Sequence, residues 1–179
     1  MQNTAVLPVI SEVKWEIEKG ETAGSWQIAG TAYGYDPDED DDGDDEPIGS
    51  LSGLIVPNAT KARFFDAHDA VDGYYCHLAE FALAADLLTV ARNPLSIGEV
   101  ECSEGYQGRG VEALLRRTML YALTTLPLVW DVAITQVYST PESHDWGGLG
   151  LTVSVRDDFD VYFFQGGRGS IASACQPRG

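Results

Sequence analysis

The stretch "GYQGRGVEALLRR", Gly105 to Arg117, is a glycine-rich turn running straight into an amphipathic helix. Val111, Leu114, Leu115 and Met119 recur at helical spacing on one face, and Pro127 ends the run. Gly108 and Gly110 carry no side chains, so the orphan N–H groups of the helix's first turn stand open to an anion such as a pyrophosphate, and Arg109 adds charge. The alternative is a tight turn with a surface arginine. The stretch is not a phosphate-binding loop of the Gly-Lys-Ser/Thr type, and it lacks the third glycine of the dinucleotide fingerprint.

Strand patterns surround this helix. "SIGEVEC" (96–102) leads into the turn, "LVWDVAITQVYS" (128–139) reads as a buried strand, and "GLTVSVRDDFDVYFFQG" (150–166) has strand character on both sides of a turn at Arg156 to Asp158. Upstream, Val13–Glu18 alternates in the strand period, Gly20–Gly24 supplies a turn, and Ser25–Tyr35 and Ile48–Val56 form a long hairpin. Between the hairpin and "SIGEVEC" lie a polar segment and then one long helix over about 70–92. That helix carries Tyr74, Leu78, Phe81, Ala82, Ala85 and Leu88 as its apolar stripe and stops at Asn93 and Pro94. Helices alternate with strands only in the middle, while both ends read as antiparallel. The expected class is therefore α/β with a mixed sheet, in one domain spanning 1–179.

The segment "VECSEGYQGRGVEALL" resembles the signature of the GNAT acetyltransferase superfamily, in which a strand runs into Arg/Gln-x-x-Gly-x-Gly/Ala at a helix start. Val100, Cys102, Tyr106, Gln107, Gly108, Arg109 and Gly110 fall on matching positions. Downstream, "STPESHDWGGLGL" (139–151) places Gly150 and Leu151 on the family's Gly-Phe pair, so the resemblance covers about 97–165, with the hairpin at 25–56 as a counterpart of earlier strands. It implies a central, mostly antiparallel mixed sheet flanked by helices and an acetyl-coenzyme A-dependent N-acetyltransferase acting on an amine. It further implies that Val100 and Cys102 lie along the pantetheine arm, that the turn from Gln107 to Val111 holds the pyrophosphate, and that Ser139 stands at the family's asparagine. Three departures stand out. Glu112 occupies the motif's last Gly/Ala position, Trp146 falls where the family has the tyrosine that reprotonates the thiolate, and the long helix precedes the motif strand instead of following the first strand. A second reading is a catalytically inactive GNAT-like acidic protein that binds a basic partner in the manner of a nucleic-acid mimic or inhibitor.

An amine must be neutral to attack, so an enzyme of this kind uses a general base, and Glu99 and Glu101, alternating with Val100, are the best-placed carboxylates. The alternative is that both are solvated on the open sheet face. His144 lies near the expected acetyl site, His68 and His77 have no partner pattern, and Cys102 reads as an apolar filler with nothing basic beside it.

Charge narrows the partners. Eleven Lys and Arg against 28 Asp and Glu give a formal −17, which repels nucleic acid and anionic membranes and suits a cationic small molecule or a basic protein. Nine acids crowd the eleven residues from Asp36 to Glu46, so the hairpin tip at 36–47 is expected to be solvated and disordered. Asp38, Asp40, Asp42 and Gly43 match the first half of a calcium loop, but Gly49 stands where that loop needs glutamate, and no metal is assigned. Cys76, Cys102 and Cys175 form no CxxC pair and read as reduced thiols. With neither a basic-then-apolar leader nor a stretch of membrane-spanning length, a cytoplasmic location is expected.

Overall fold

Period-two alternation builds the sheet. In the computed structural model, which describes residues 6–22, 24–37, 45–138, 146–156 and 161–177, β1 (Val9–Lys19), β2 (Trp26–Tyr35) and β3 (Glu46–Ile55) form an antiparallel meander. Two helices follow, α1 (Lys61–Asp69) and α2 (Gly73–Ala84), and then β4 (Pro94–Cys102), α3 (Val111–Thr125), β5 (Val132–Tyr138), β6 (Thr152–Arg156), β7 (Val161–Gly167) and α4 (Arg168–Cys175). The sheet order is β1-β2-β3-β4-β5-β7-β6, antiparallel throughout except for the β4–β5 pair. The expected mixed, mostly antiparallel sheet is thus observed.

Helices cover both faces. α3 and α4 bury Leu115, Met119, Leu123 and Ile171 against Leu51, Ile55 and Leu95, while α1 and α2 bury Phe64, Leu78 and Ala82 against Leu54, Ile134 and Phe163. Successive residues of β7 show why its sequence lacks polar alternation: Phe163 enters one cluster and Phe164 the other, and both are buried. Phe81 stacks on Phe163 with ring centroids 3.4 Å apart.

Three helical features depart from the sequence expectation. The polar segment after β3 is α1, capped by Thr60, whose hydroxyl accepts from Arg63 N, and it buries only Phe64, Ala67 and His68. The helix expected over 70–92 is α2 followed by a 3₁₀ turn at Leu87–Thr89, broken where Asp86 takes a left-handed conformation (φ 53°). α4 was not expected at all; its small residues give almost no stripe, and it folds because Ile171 and Cys175 pack under α3.

His68 is fully buried rather than unpartnered. Its Nδ1 lies 2.6 Å from Phe64 O and its Nε2 2.5 Å from Ser96 Oγ. The neutral ring, donating to the carbonyl and accepting from the hydroxyl, satisfies both contacts. Burial pushes its pKa down to about 4, against which the Phe64 carbonyl is the smaller influence. Because the folded value lies below the unfolded one of 6.5, the unfolded chain binds more protons between them. This contribution is therefore complete above pH 6.5 and is lost as pH falls toward 4, by roughly 3 kcal/mol at the limit. The ring resonances of His68 are expected to stay constant from pH 8 to 5.5 in an NMR titration; a midpoint near 6.5 would contradict the buried, neutral assignment.

Candidate functional site

β4 and β5 run parallel and pair at only three positions, Pro94↔Val132, Leu95↔Ala133 and Ser96↔Ile134. Beyond these, β4 stays with β3 as far as Cys102 and β5 stays with β7 as far as Tyr138, so the strands part and leave a wedge. The register from Leu51↔Val100 to Gly53↔Ile97 sets two residues of β4, Gly98 and Glu99, against Ser52 alone. This β-bulge bends β4 away from β5. Glycine fits there without displacement, since a Cβ at position 98 would push aside Ser52 Oγ and Tyr75 Oη.

A hydroxyl sits at the vertex. Tyr74, from α2, places its Oη 3.3 Å from Ile97 O, 3.2 Å from Gln136 O and 3.4 Å from Thr135 Oγ1, so one phenol touches both arms of the wedge. Gln136 answers with Nε2 donating to Tyr74 O at 3.1 Å; it is 3% exposed, and its Oε1 has no hydrogen-bond partner. The sequence places Tyr74 in the core stripe of its helix, and its ring packs there. Its spacing to Leu78 is indistinguishable from packing, and only the parting of two distant strands gives the hydroxyl a site.

The glycine turn caps the same end of β4. Ser103 anchors it, with N donating to Ile48 O at 2.8 Å and Oγ to Pro47 O at 2.6 Å. Gln107 Nε2 reaches back to Cys102 O. Gly108 (φ 72°) and Gly110 (φ 80°) are left-handed, and a Cβ on either would meet nothing within 4 Å. A glycine turn at a helix start, with backbone amides and no side chains of its own, suits a pyrophosphate. Carboxylates of the chain itself lie there: Glu112 Oε1 accepts from Gly108 N at 2.8 Å, and Asp36 Oδ2 pairs with Arg109 Nη2 at 2.5 Å. Arg109, expected to face a phosphate, is thus engaged with the base of the acidic hairpin. Tyr106 is likewise held, its Oη donating to Glu46 Oε1 at 2.5 Å.

The other expected site residues are distributed around the wedge. Val100 and Cys102 pack against the α3 cluster, so their backbone forms the β4 arm, and alternation sends Glu99 and Glu101, both exposed, to the α2 face. Burial, and secondarily the charge of Glu112, raises the Cys102 thiol, as expected of a filler rather than a nucleophile. Tyr75 is pushed up to about 12, mainly by burial, with Glu99 among the lesser contributors. Val111 is fully buried at the start of α3. Trp146 is 3% exposed in the core, with Arg116 over its ring and Nε1 unpartnered. Ser139, His144, and residues 38–44 of the hairpin tip lie outside the described residues. On the α2 face, Glu16, Glu18 and Asp72 line a cleft of about 310 Å³ that meets the bulge through Ser52 and Tyr75. No helix among the described residues is long and apolar enough to cross a membrane.

No protein-family model and no curated protein matches the chain. Among solved structures, a mosquito arylalkylamine N-acetyltransferase (like 5b) is similar over 78% of this chain and 74% of its own, with a TM-score of 0.53 at 10% identity. The chain has the GNAT fold. Arabidopsis thaliana NAA60 in complex with acetyl-CoA (TM-score 0.47, 13% identity, 87% of this chain and 98% of that one) and the Vibrio cholerae spermidine/spermine N-acetyltransferase SpeG (0.45, 12%, 87% and 72%) also match. Within its GNAT fold the chain keeps the departure in order seen in its sequence: the helix pair α1–α2 lies between β3 and β4, not after the first strand.

Proposed function

We propose that this GNAT-fold protein transfers an acetyl group from acetyl-coenzyme A to an amine. The observation that carries the reading is the parting of β4 from β5 beside a bulge, with an open glycine turn at one end of the wedge and a phenol at its vertex. The amides of Gly108 and Gly110 and the guanidinium of Arg109 would hold the pyrophosphate, and the unpaired edge of β4 from Gly98 to Cys102 would pair with the pantetheine arm. Bound acetyl-coenzyme A supplies the thioester, whose carbonyl carbon takes the acceptor nitrogen as the C–S bond breaks. Tyr74 Oη holds the proton that the departing sulfur takes up, the role for which Trp146 has no hydroxyl. Glu99 or Glu101, facing the acceptor side, would take the proton released by the ammonium. The carboxylates of Glu16, Glu18 and Asp72 suit a cationic acceptor such as a polyamine.

Calorimetric titration with coenzyme A, paired with thiol release in the presence of an amine panel, tests this reading. Gly108→Asp and Gly110→Asp are each expected to abolish coenzyme A binding, because both add a negative side chain beside the turn's amides, in a backbone conformation that glycine favours. Wild-type affinity in both would remove the cradle from the mechanism. A second reading, an inactive acidic protein that occupies a basic partner, is favoured by the carboxylates already seated on Gly108 N and Arg109. Recovery of a basic protein that is released between about 50 and 200 mM salt, from a protein that does not bind coenzyme A, would support it instead.

A further inference from the structure

Two carboxylates occupy the two groups of the turn best suited to a phosphate. Glu112, in the first turn of α3, accepts from the amide of Gly108, and Asp36, at the end of β2, holds Arg109. The second contact spans 73 residues and is sheltered: the Asp36 side chain is 7% exposed and that of Arg109 32%. A third acid, Glu46 at the start of β3, takes the hydroxyl of Tyr106, so both feet of the acidic hairpin stand on the turn.

Resting on the coenzyme A reading above, we propose that Glu112 and Asp36 form an internal latch on the pyrophosphate cradle, which the cofactor must displace in order to bind. Glu112 acts as a tethered anion at the Gly108 amide, and Asp36 draws off the arginine charge that would otherwise attract a phosphate. The cradle is competent only in the fraction of molecules with the latch open, and apparent affinity falls in proportion to that fraction. A latch closed in about nine molecules of ten weakens binding about tenfold. Its components are reachable by a ligand: Glu112 is half-buried on the first turn of α3, and a Cβ on Gly108 or Gly110 would meet nothing within 4 Å. Cofactor binding is thereby coupled to the position of the β2–β3 hairpin, so anything that draws the hairpin's carboxylates away also loads the cradle.

The test is coenzyme A titration of the wild-type protein, Glu112→Gln, Glu112→Ala and Asp36→Asn, with the Gly108 amide resonance followed by NMR in each. Glu112→Ala is expected to bind about tenfold tighter, and Glu112→Gln, which loses the charge but keeps an acceptor on Gly108 N, severalfold tighter, as is Asp36→Asn. The Gly108 amide of Glu112→Ala, without ligand, should already have left its wild-type position. Binding by the variants alone supports the latch equally. Equal affinity in all four proteins overturns the latch and leaves the coenzyme A reading in place. Weaker binding by the Glu112 variants also overturns it, since the carboxylate would then be building the cradle. No binding by any of the four at millimolar coenzyme A overturns the latch and the cofactor reading together. Glu112→Gln keeps the shape and an acceptor for Gly108 N, so its result does not depend on the fold tolerating a truncation.

Discussion

Tyr74→Phe is expected to lower the turnover number for acetyl transfer by about 10²-fold or more, within the range for removal of a positioned general acid, while coenzyme A affinity stays within about twofold. The phenol is the hydroxyl at the vertex, in reach of Ile97 O and Gln136 O on the two arms, and its loss would remove the proposed proton source without touching the glycine turn. Replacing hydroxyl by hydrogen leaves the ring to pack against α2's neighbours, so the cost in stability is about 1 kcal/mol, as for one partly buried hydrogen bond. The distinguishing measurement is the pH profile: an acid that protonates the leaving sulfur gives an alkaline limb in the wild type that disappears in the variant. Full turnover in Tyr74→Phe, or a loss confined to KM, would move the proton source elsewhere and leave Tyr74 as a staple between the strands.

The largest expected effect on stability comes from Arg168. Pro127 stops α3 at Thr125 and leaves the carbonyls of its last turn without helical partners. Arg168, opening α4, serves one of these and two carbonyls just beyond the helix: Nε and Nη2 donate to Thr124 O at 3.1 and 2.7 Å, Nη2 also to Leu126 O at 2.6 Å, and Nη1 to Leu128 O at 2.6 Å, with the guanidinium 5.1 Å over Trp130. Three carbonyls and an indole face are thus organised by one planar fork, and an ammonium, a point donor on a flexible stem, cannot reproduce that spread. Arg168→Ala is expected to cost about 3 kcal/mol in urea unfolding, with the slope unchanged, and Arg168→Lys to recover less than half. A loss under about 0.5 kcal/mol for Arg168→Ala would mean that water serves those carbonyls equally well.

Much of the fold was legible in the chain because it is written at short range. Alternation marked the strands, the α3 stripe and Pro127 bounded the motif helix, and the glycines at 108 and 110 announced a turn before a helix start. Glu112's place at the motif's last Gly/Ala position was legible too, whereas its bond to Gly108 N needed the structure. Elements with little intrinsic signal were not. α1 presents a polar sequence around Phe64, Ala67 and His68, α4 is made of small residues, and the break at Asp86 leaves no mark in the hydrophobic stripe. All three exist because tertiary contacts repay what local propensity does not.

The site divides in the same way. By itself the sequence determined the glycine turn before α3, the strand that leads into it, and the strong negative charge of the molecule. Tertiary structure alone decided that the Tyr74 hydroxyl, on a ring packed in its helix stripe, stands at the parting of β4 and β5, that Trp146 lies in the core, and that Asp36 reaches Arg109 from the end of β2. The reason is physical: a backbone turn and a helix start are set by a few neighbouring torsions, whereas the surroundings of a phenol, an indole or a guanidinium depend on which distant strands and loops are packed beside it.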